Sequence, residues 1–307
     1  MPESVTTETS GGAAHQPRRR HAAVLMVAAA VASLAACTTS PATDTGHGAS
    51  DMADMPGMTG MPSAPTAPAI ADAAPSDTGL SASQGGYSFV PTDLSADTFT
   101  FHINGSDGRA VTRYQPYESR LVVGYLVRSD LSSYHLLDPA MQQDGTWRGR
   151  LPALHPGSYR AFVTFAAPDS AHGTPLHYTL SQRLTIPGSE PDVPLPPAEN
   201  STTVDGFTVS LAGKPTAGVA SPLRISITSG GKAVQHIDRF LDGYAHLTAF
   251  RAGDLASAHI FSTGRDDTAT PTANVLFPES GTWRLFAQFQ LNGQLHTAAF
   301  TVVVPGP

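Results

Sequence analysis

Apolar and polar residues alternate with a period of two along several short segments of the chain. Every second side chain is apolar in 159–165, and the same pattern recurs in 283–289. Such alternation is typical of strands with one buried face. Asn292-Gly293 stands between two apolar runs and predicts a type I′ hairpin, because both residues tolerate positive φ. Other short runs rich in β-branched residues predict further strands: 121–127, 223–227 and 300–304.

Two β-rich regions of the chain are related by an internal repeat. DLSSYH at 130–135 matches DLASAH at 254–259, and GSYRAFVTF at 157–165 matches GTWRLFAQF at 281–289. Both matches have the same offset of 124 residues, which indicates a tandem duplication. About seven short strands per repeat predict an all-β fold of two tandem immunoglobulin-like β-sandwich domains.

The amino-acid composition of the remaining segments of the 307-residue chain predicts where the domains begin and end. Residues 1–36 are predicted to be an export signal, and 37–86, rich in small and polar residues, a disordered tether. A Pro-rich linker is predicted at 188–204, since proline at that density favours an extended chain. The two sandwich repeats are therefore expected at 87–187 and 205–307.

The N-terminus carries the features of a secretory signal. Three arginines at 18–20 precede an apolar run, 22–36, that is too short to span a bilayer. The run ends in Leu-Ala-Ala-Cys, and Cys37 is the only cysteine of the chain. This segment resembles a bacterial lipobox, which implies cleavage before Cys37, lipid attachment there, and anchoring to the outer face of the cell membrane. An uncleaved anchor or an ordinary signal peptide is the alternative.

Charge and motifs exclude several classes of function. The net charge is −7 with a pI near 5.9, and no region is basic enough to neutralise phosphates, so we expect no nucleic-acid partner. The sequence has no G-x-S-x-G, no H-E-x-x-H and no phosphate-binding glycine loop. We therefore expect a non-enzymatic protein, and an envelope hydrolase without a recognisable motif is the weakest alternative.

The tether carries a regular array of soft ligands. Met52, Met55, Met58 and Met61 recur every three residues, and His47 lies upstream. In a segment too polar to fold, methionine has no core to fill. Thioether sulfur suits Cu(I), and histidine would add a nitrogen ligand, so the array predicts copper or silver binding. The alternatives are a low-complexity spacer and a spacer that consumes oxidants by forming methionine sulfoxide.

Three histidines of the repeats are weaker metal-ligand candidates. His135 and His259 occupy equivalent positions, and His246 lies on the preceding strand-like run of the second repeat. Two imidazoles alone make a weak site, because zinc and copper usually take three or four ligands. The alternative is a structural histidine that bonds a backbone carbonyl near the end of a strand.

Paired arginines and aromatic residues have structural interpretations. Arg160 and Arg284 are equivalent in the two repeats, and we expect both on the solvent-facing side, paired with a nearby aspartate or stacked on a ring. Trp147, Tyr159 and Trp283 are expected to be core aromatics of the sandwiches.

The repeat blocks carry a family resemblance. Asp-Leu-x-x-x-His, followed by Gly-x-aromatic-Arg and Phe-x-x-Phe, resembles the secreted YtkA-like proteins of actinobacteria over roughly 99–304. The resemblance implies immunoglobulin-like domains and an association with periplasmic copper handling. The family pattern has a second histidine two residues after the first, but Leu137 and Phe261 stand there in this chain. A metal site built on that histidine pair would be incomplete in both repeats.

Two functional hypotheses follow from these patterns. The first is a membrane-anchored extracytoplasmic lipoprotein that binds or buffers copper through its tether and passes it to a membrane partner. The second is a non-catalytic surface module that contacts another cell-envelope protein, with the tether as a spacer. Copper handling predicts ligands clustered in the tether or on one face, whereas an interaction module predicts an exposed apolar patch.

Overall fold

The structure is a computed structural model that describes residues 71–72, 77–95, 97–168, 175–262 and 270–307. All of these residues belong to one compact unit. Strands are the regular secondary structure of this part of the chain, and it contains no helix long and apolar enough to cross a membrane.

The strands are numbered here in chain order. They are β1 (Ala71–Asp72), β2 (Ser83–Gln84), β3 (Tyr87–Leu94), β4 (Thr98–Asn104), β5 (Val122–Arg128), β6 (Tyr134–Leu137), β7 (Ala140–Met141), β8 (Trp147–Arg150), β9 (Gly157–Pro168), β10 (Pro175–Ile186), β11 (Ser201–Val204), β12 (Phe207–Ala212), β13 (Ser221–Ser229), β14 (Lys232–Ala233), β15 (Ala245–Arg251), β16 (His259–Ser262), β17 (Thr272–Leu276), β18 (Gly281–Leu291) and β19 (Gln294–Val304).

Each repeat forms two sheets around its own core. In the first repeat the sheet β2-β3-β4-β8-β7 faces the sheet β1-β10-β9-β5-β6. In the second repeat β11-β12-β13-β17-β16, with β14 beside β13, faces β15-β18-β19. Neighbouring strands are antiparallel except β1, which pairs in parallel with β10. The predicted all-β sandwich fold is confirmed, and the strand order corresponds to that of immunoglobulin-type sandwiches.

Period-two alternation accounts for both cores. In β4 every second side chain, from Phe99 to Ile103, is fully buried. Trp147, Tyr159 and Trp283 are at most 2% exposed, which confirms them as core aromatics. The predicted hairpin is also present, since Asn292 (φ 52°) and Gly293 (φ 75°) join β18 to β19.

Four strands bury both of their faces. All seven residues of β5 are buried, and so are nine consecutive residues of β9. One face of β9 enters the sandwich core, whereas Phe162 on the opposite face contacts Phe250 of the other repeat, with ring centroids 4.8 Å apart. β15 and β18 contribute to this interface in the same way, through Phe250 and Phe286. The two sandwiches therefore pack on each other through their β5-β9 and β15-β18 faces.

The interface has approximate two-fold symmetry. Phe162 and Phe286 are equivalent, and both belong to the apolar cluster between the repeats. Val122 pairs with Phe165 and Ala245 pairs with Phe289, so β5 and β15 are related by an offset of 123 rather than 124. The difference is one extra residue in the turn after β15.

Two connecting segments reinforce this contact. The chain ahead of the first repeat crosses to the second, where the backbone N–H of Ser257 donates to the carbonyl of Thr78 at 2.8 Å. The linker ahead of the second repeat crosses to the first, where the N–H of Val193 donates to Asp130 at 2.8 Å. Residues 77–82 hydrogen-bond to both repeats, so contacts with the folded domains begin before the predicted start of the first repeat. The composition of this segment gives no sign of these contacts.

We expect replacement of Phe250 by alanine to destabilise the protein by about 3–5 kcal/mol, because the side chain is buried between the repeats. Phe261→Ala is the matched control: that ring is 44% exposed, and the change should stay within roughly 0.5 kcal/mol. Urea unfolding of both variants measures the difference, and equal effects would contradict burial of the second sheet face.

Candidate functional site

The aromatic centre of the inter-repeat interface surrounds a small set of polar side chains. Tyr134 stacks on Phe286 with ring centroids 4.4 Å apart, and its hydroxyl donates to Oε1 of Gln288 at 3.1 Å. Gln288 in turn donates from Nε2 to Thr297 at 3.1 Å. Each of these buried polar groups therefore has a partner, as the low polarity of the surroundings requires.

A second polar group lies beside this one and joins the repeats directly. His246, 6% exposed, has Nε2 at 3.1 Å from the hydroxyl of Tyr125, and the two rings are stacked. On the other side of the ring, Nδ1 lies 3.1 Å from Oε2 of Glu118. Burial raises the pKa of Tyr125 well above its ordinary value, so its hydroxyl stays protonated at physiological pH.

A strained turn holds Glu118 in place. Tyr117 and Arg120 exchange two backbone hydrogen bonds of 2.7 and 2.8 Å around it. Glu118 and Ser119 between them have φ of 48° and 59°, the left-handed region that non-glycine residues seldom adopt. Ser119 hydrogen-bonds to Asp242 of the second repeat. The turn is thereby fixed against the second repeat, with its carboxylate directed at His246.

A small pocket opens beside Glu118 and His246. Its volume is about 30 Å³, and Ile260, Pro271 and Thr272 complete much of the lining. A water molecule needs roughly 10–15 Å³ of such space, so the pocket has room for one or two waters. An organic substrate would not fit.

The repeated Asp-Leu motif has a structural role in both repeats. Asp130 pairs with Arg128, and Asp254 pairs with Arg251 at the end of the equivalent strand. In each case the aspartate also accepts a hydrogen bond from the backbone N–H two residues later, at 3.0 Å. The intervening leucines have positive φ, 62° for Leu131 and 66° for Leu255, and both are buried in the interface. The motif therefore shapes a turn that inserts a leucine between the repeats.

The expectation for the paired arginines is wrong. Arg160 is only 8% exposed and donates to the carbonyl of Leu80 and to Ser181. Arg284 donates to Thr301. Neither is the partner of the motif aspartates, because arginines at the ends of β5 and β15 take that place. For Arg160 the solvent-facing assignment failed because the chain ahead of the first repeat, at Leu80, covers this position of β9.

The three candidate histidines of the repeats occupy separate environments. Nε2 of His135 lies 2.8 Å from Oγ of Ser133, and burial, with the nearby charge of His155, lowers the pKa of His135. His259 lies on β16, in register with Leu276. The ring nitrogens of His246 face Glu118 and Tyr125 rather than another histidine. Among the described residues, no three His, Cys, Asp or Glu side chains converge as a metal-binding group.

The predictions for the N-terminal part of the chain fall outside the described residues. They concern the lipid-attachment residue Cys37 and the tether ligands His47, Met52, Met55, Met58 and Met61. Glu118 and Tyr125, in contrast, are interface residues that the sequence patterns did not single out. For Tyr125 the sequence does hold an indication: the apolar run around it is continuous rather than alternating, which is typical of a strand buried on both faces.

Comparison with known proteins gives one family match, which lies within the second half of the chain. Residues 202–306 match the family described as a domain of unknown function, DUF8832. No curated protein gives a significant match. A solved structure of InvD from Yersinia pseudotuberculosis is 16% identical over 73% of this chain, with a TM-score of 0.25. The chain covers 59% of that protein, and a TM-score this low adds nothing to the description of the fold.

The Arg251–Asp254 pair should make stability depend on acid pH. The hydrogen bond from Arg251 holds the pKa of Asp254 below its ordinary value of 3.8. A depressed carboxyl pKa contributes stability that is present above about 3.8 and is lost as the pH falls toward the folded-state pKa. We expect Asp254→Asn to destabilise the protein at pH 7 and progressively less below pH 3.8.

Urea unfolding of both proteins from pH 7 to pH 3 measures this effect. Arg251→Gln is the control: it removes the same bond from the other side, together with the bond from Arg251 to Glu279, so the double variant should lose no more than Arg251→Gln alone. A difference between wild type and Asp254→Asn that stays constant across this range would contradict the assignment.

Proposed function

We propose that this protein is a lipid-anchored extracytoplasmic protein that binds copper through its Met-rich tether. Cys37 would carry the lipid, and His47 with Met52, Met55, Met58 and Met61 would supply the ligands. The observation that carries the proposal is the strict three-residue spacing of the methionines in a segment composed mainly of small and polar residues. Several thioether sulfurs on a flexible chain can surround one Cu(I) ion.

The folded repeats are consistent with Cu(I) binding by the tether alone. His135 has a partner within the fold, since its Nε2 lies 2.8 Å from Oγ of Ser133, and no three His, Cys, Asp or Glu side chains of the described residues converge as a metal-binding group. The two packed sandwiches would then be the folded part of the protein that the tether connects to the membrane. In this proposal the protein has no catalytic role and hands copper to, or takes it from, a cell-envelope partner.

The alternative, a surface interaction module without metal, is less well supported. It calls for a contiguous exposed apolar patch, which soluble proteins use for partner contacts. In the part of the chain that the structure describes, the large apolar cluster outside the two cores lies between the repeats. The exposed large apolar residues lie on β3, β16, β19 and connecting segments: Val90, Leu121, Val193, Val219, Phe261, Leu295 and Val303.

Titration of the chain from Thr38 onward with Cu(I), under anaerobic conditions against a competing chelator, tests the proposal. We expect tight binding that is lost when Met52, Met55, Met58 and Met61 are all changed to leucine, because leucine keeps the size but removes the sulfur. The matched control changes Met141, which lies outside the array, to leucine and should bind like wild type. Binding that survives the fourfold change, or no binding in either protein, would overturn the proposal.

A further inference from the structure

The contact between Glu118 and His246 has the spacing of two ligands on one metal ion. Their Oε2 and Nδ1 atoms are 3.1 Å apart. Ligands about 2.0–2.2 Å from a zinc ion, at angles between 90° and tetrahedral, lie roughly 2.9–3.5 Å from each other. Oε2 is buried and accepts no aligned hydrogen bond from any described residue. The two atoms are therefore close without the N–H···O bond that would ordinarily explain their distance.

The opposite side of the imidazole has the partner that metal-binding histidines usually have. Nε2 of His246 lies 3.1 Å from the hydroxyl of Tyr125, which is itself buried in the interface. A metal-ligating histidine typically donates its second ring N–H to a neighbouring oxygen, which fixes the ring and leaves the other nitrogen for the metal. Tyr125 is thus placed as a positioning residue.

Internal symmetry shows that the fold does not need these polar groups. Through the 123-residue offset of β5 and β15, the equivalents of Val123 and Tyr125 are His246 and Thr248. The turn 117–120 corresponds to 240–243, which places Leu241 at the position of Glu118. One half of the interface therefore has a carboxylate, an imidazole and a phenol, where the symmetry-related half has Leu241, Val123 and Thr248. Both halves pack, so packing alone does not require the three polar groups.

The pocket supplies the remaining coordination positions. It is lined by both Glu118 and His246, and its volume of about 30 Å³ accommodates one or two waters. A four-coordinate ion could then have two protein ligands and two waters. Since the described residues provide no third His, Cys, Asp or Glu at this point, the site would be exchangeable rather than permanently filled. Imidazole and carboxylate together suit Zn²⁺ and Cu²⁺.

We propose that Glu118 and His246 form a binding site for one Zn²⁺ or Cu²⁺ ion at the junction of the two repeats, positioned by Tyr125. The site is distinct from the tether in location and in ligand type, because it uses nitrogen and oxygen rather than sulfur. A bound ion would bridge the repeats and stabilise their association, since both ligands would then hold the same ion.

The test uses the chain from Thr38 onward with Met52, Met55, Met58 and Met61 changed to leucine, so that the tether does not contribute. Zn²⁺ and Cu²⁺ are titrated separately against a chromophoric chelator. We expect one equivalent of either ion to bind and to raise the thermal unfolding midpoint. Glu118→Gln and His246→Gln should each weaken binding at least tenfold, and Tyr125→Phe should weaken it about 10–100-fold.

Two controls keep the test decisive. His259→Gln changes a histidine outside the pocket and should leave the affinity unchanged. If a glutamine variant fails to fold, Glu118→Leu and His246→Val reproduce the residues of the symmetry-related half and should fold without binding the ion. Absence of saturable binding, an affinity unaffected by changes at Glu118 and His246, or equal loss in His259→Gln would overturn the proposal. None of these results bears on Cu(I) binding by the tether.

Discussion

Burial of a second sheet face is the constraint on which the described structure depends. A sandwich strand ordinarily needs one apolar face, yet β9 directs Tyr159 into its own core and Phe162 against the other repeat. Removing a large apolar side chain from water contributes about 1.5–3 kcal/mol, so several such residues favour association strongly. The course of the linker and the proximity of Glu118 to His246 both follow from this contact.

Polar groups inside this contact determine its geometry rather than its strength. The side chains of Arg128 and Asp130 are 3% and 5% exposed, and a buried ion pair gains little net stability over an apolar equivalent. Loss of either partner would nevertheless strand a charge, so the pair enforces the turn in which Leu131 adopts positive φ. Asp130 in that turn also accepts a hydrogen bond from the backbone N–H of Val193 in the linker. The Asp-Leu motif of the first repeat thus connects the end of β5, the inter-repeat interface and the linker.

The sequence allowed the fold class to be predicted, along with much of each core, because period-two alternation reports directly on the face that enters a sandwich. It could not reveal the second buried face, since Phe162 and Phe286 stand at positions that the same alternation assigns to solvent. Arg160 lies on that same outward face, where Leu80 of the preceding segment covers it. The meeting of Glu118 with His246 was also beyond periodicity, because the residues belong to different repeats and meet only when two sheets pack.

Comparison of the two repeats helps to distinguish residues that the fold requires from residues with another role. Residues that recur at equivalent positions, as in the two Asp-Leu turns, satisfy requirements that the fold imposes twice. His135 and His259 do not belong to this class, although they are equivalent in sequence, because β6 pairs with β5 whereas β16 pairs with β17 in the opposite sheet. His246 does not belong to it either, because Val123 meets the same requirement in the other repeat. A buried titratable side chain where an apolar one suffices costs desolvation without improving packing, and that cost argues for a role beyond folding.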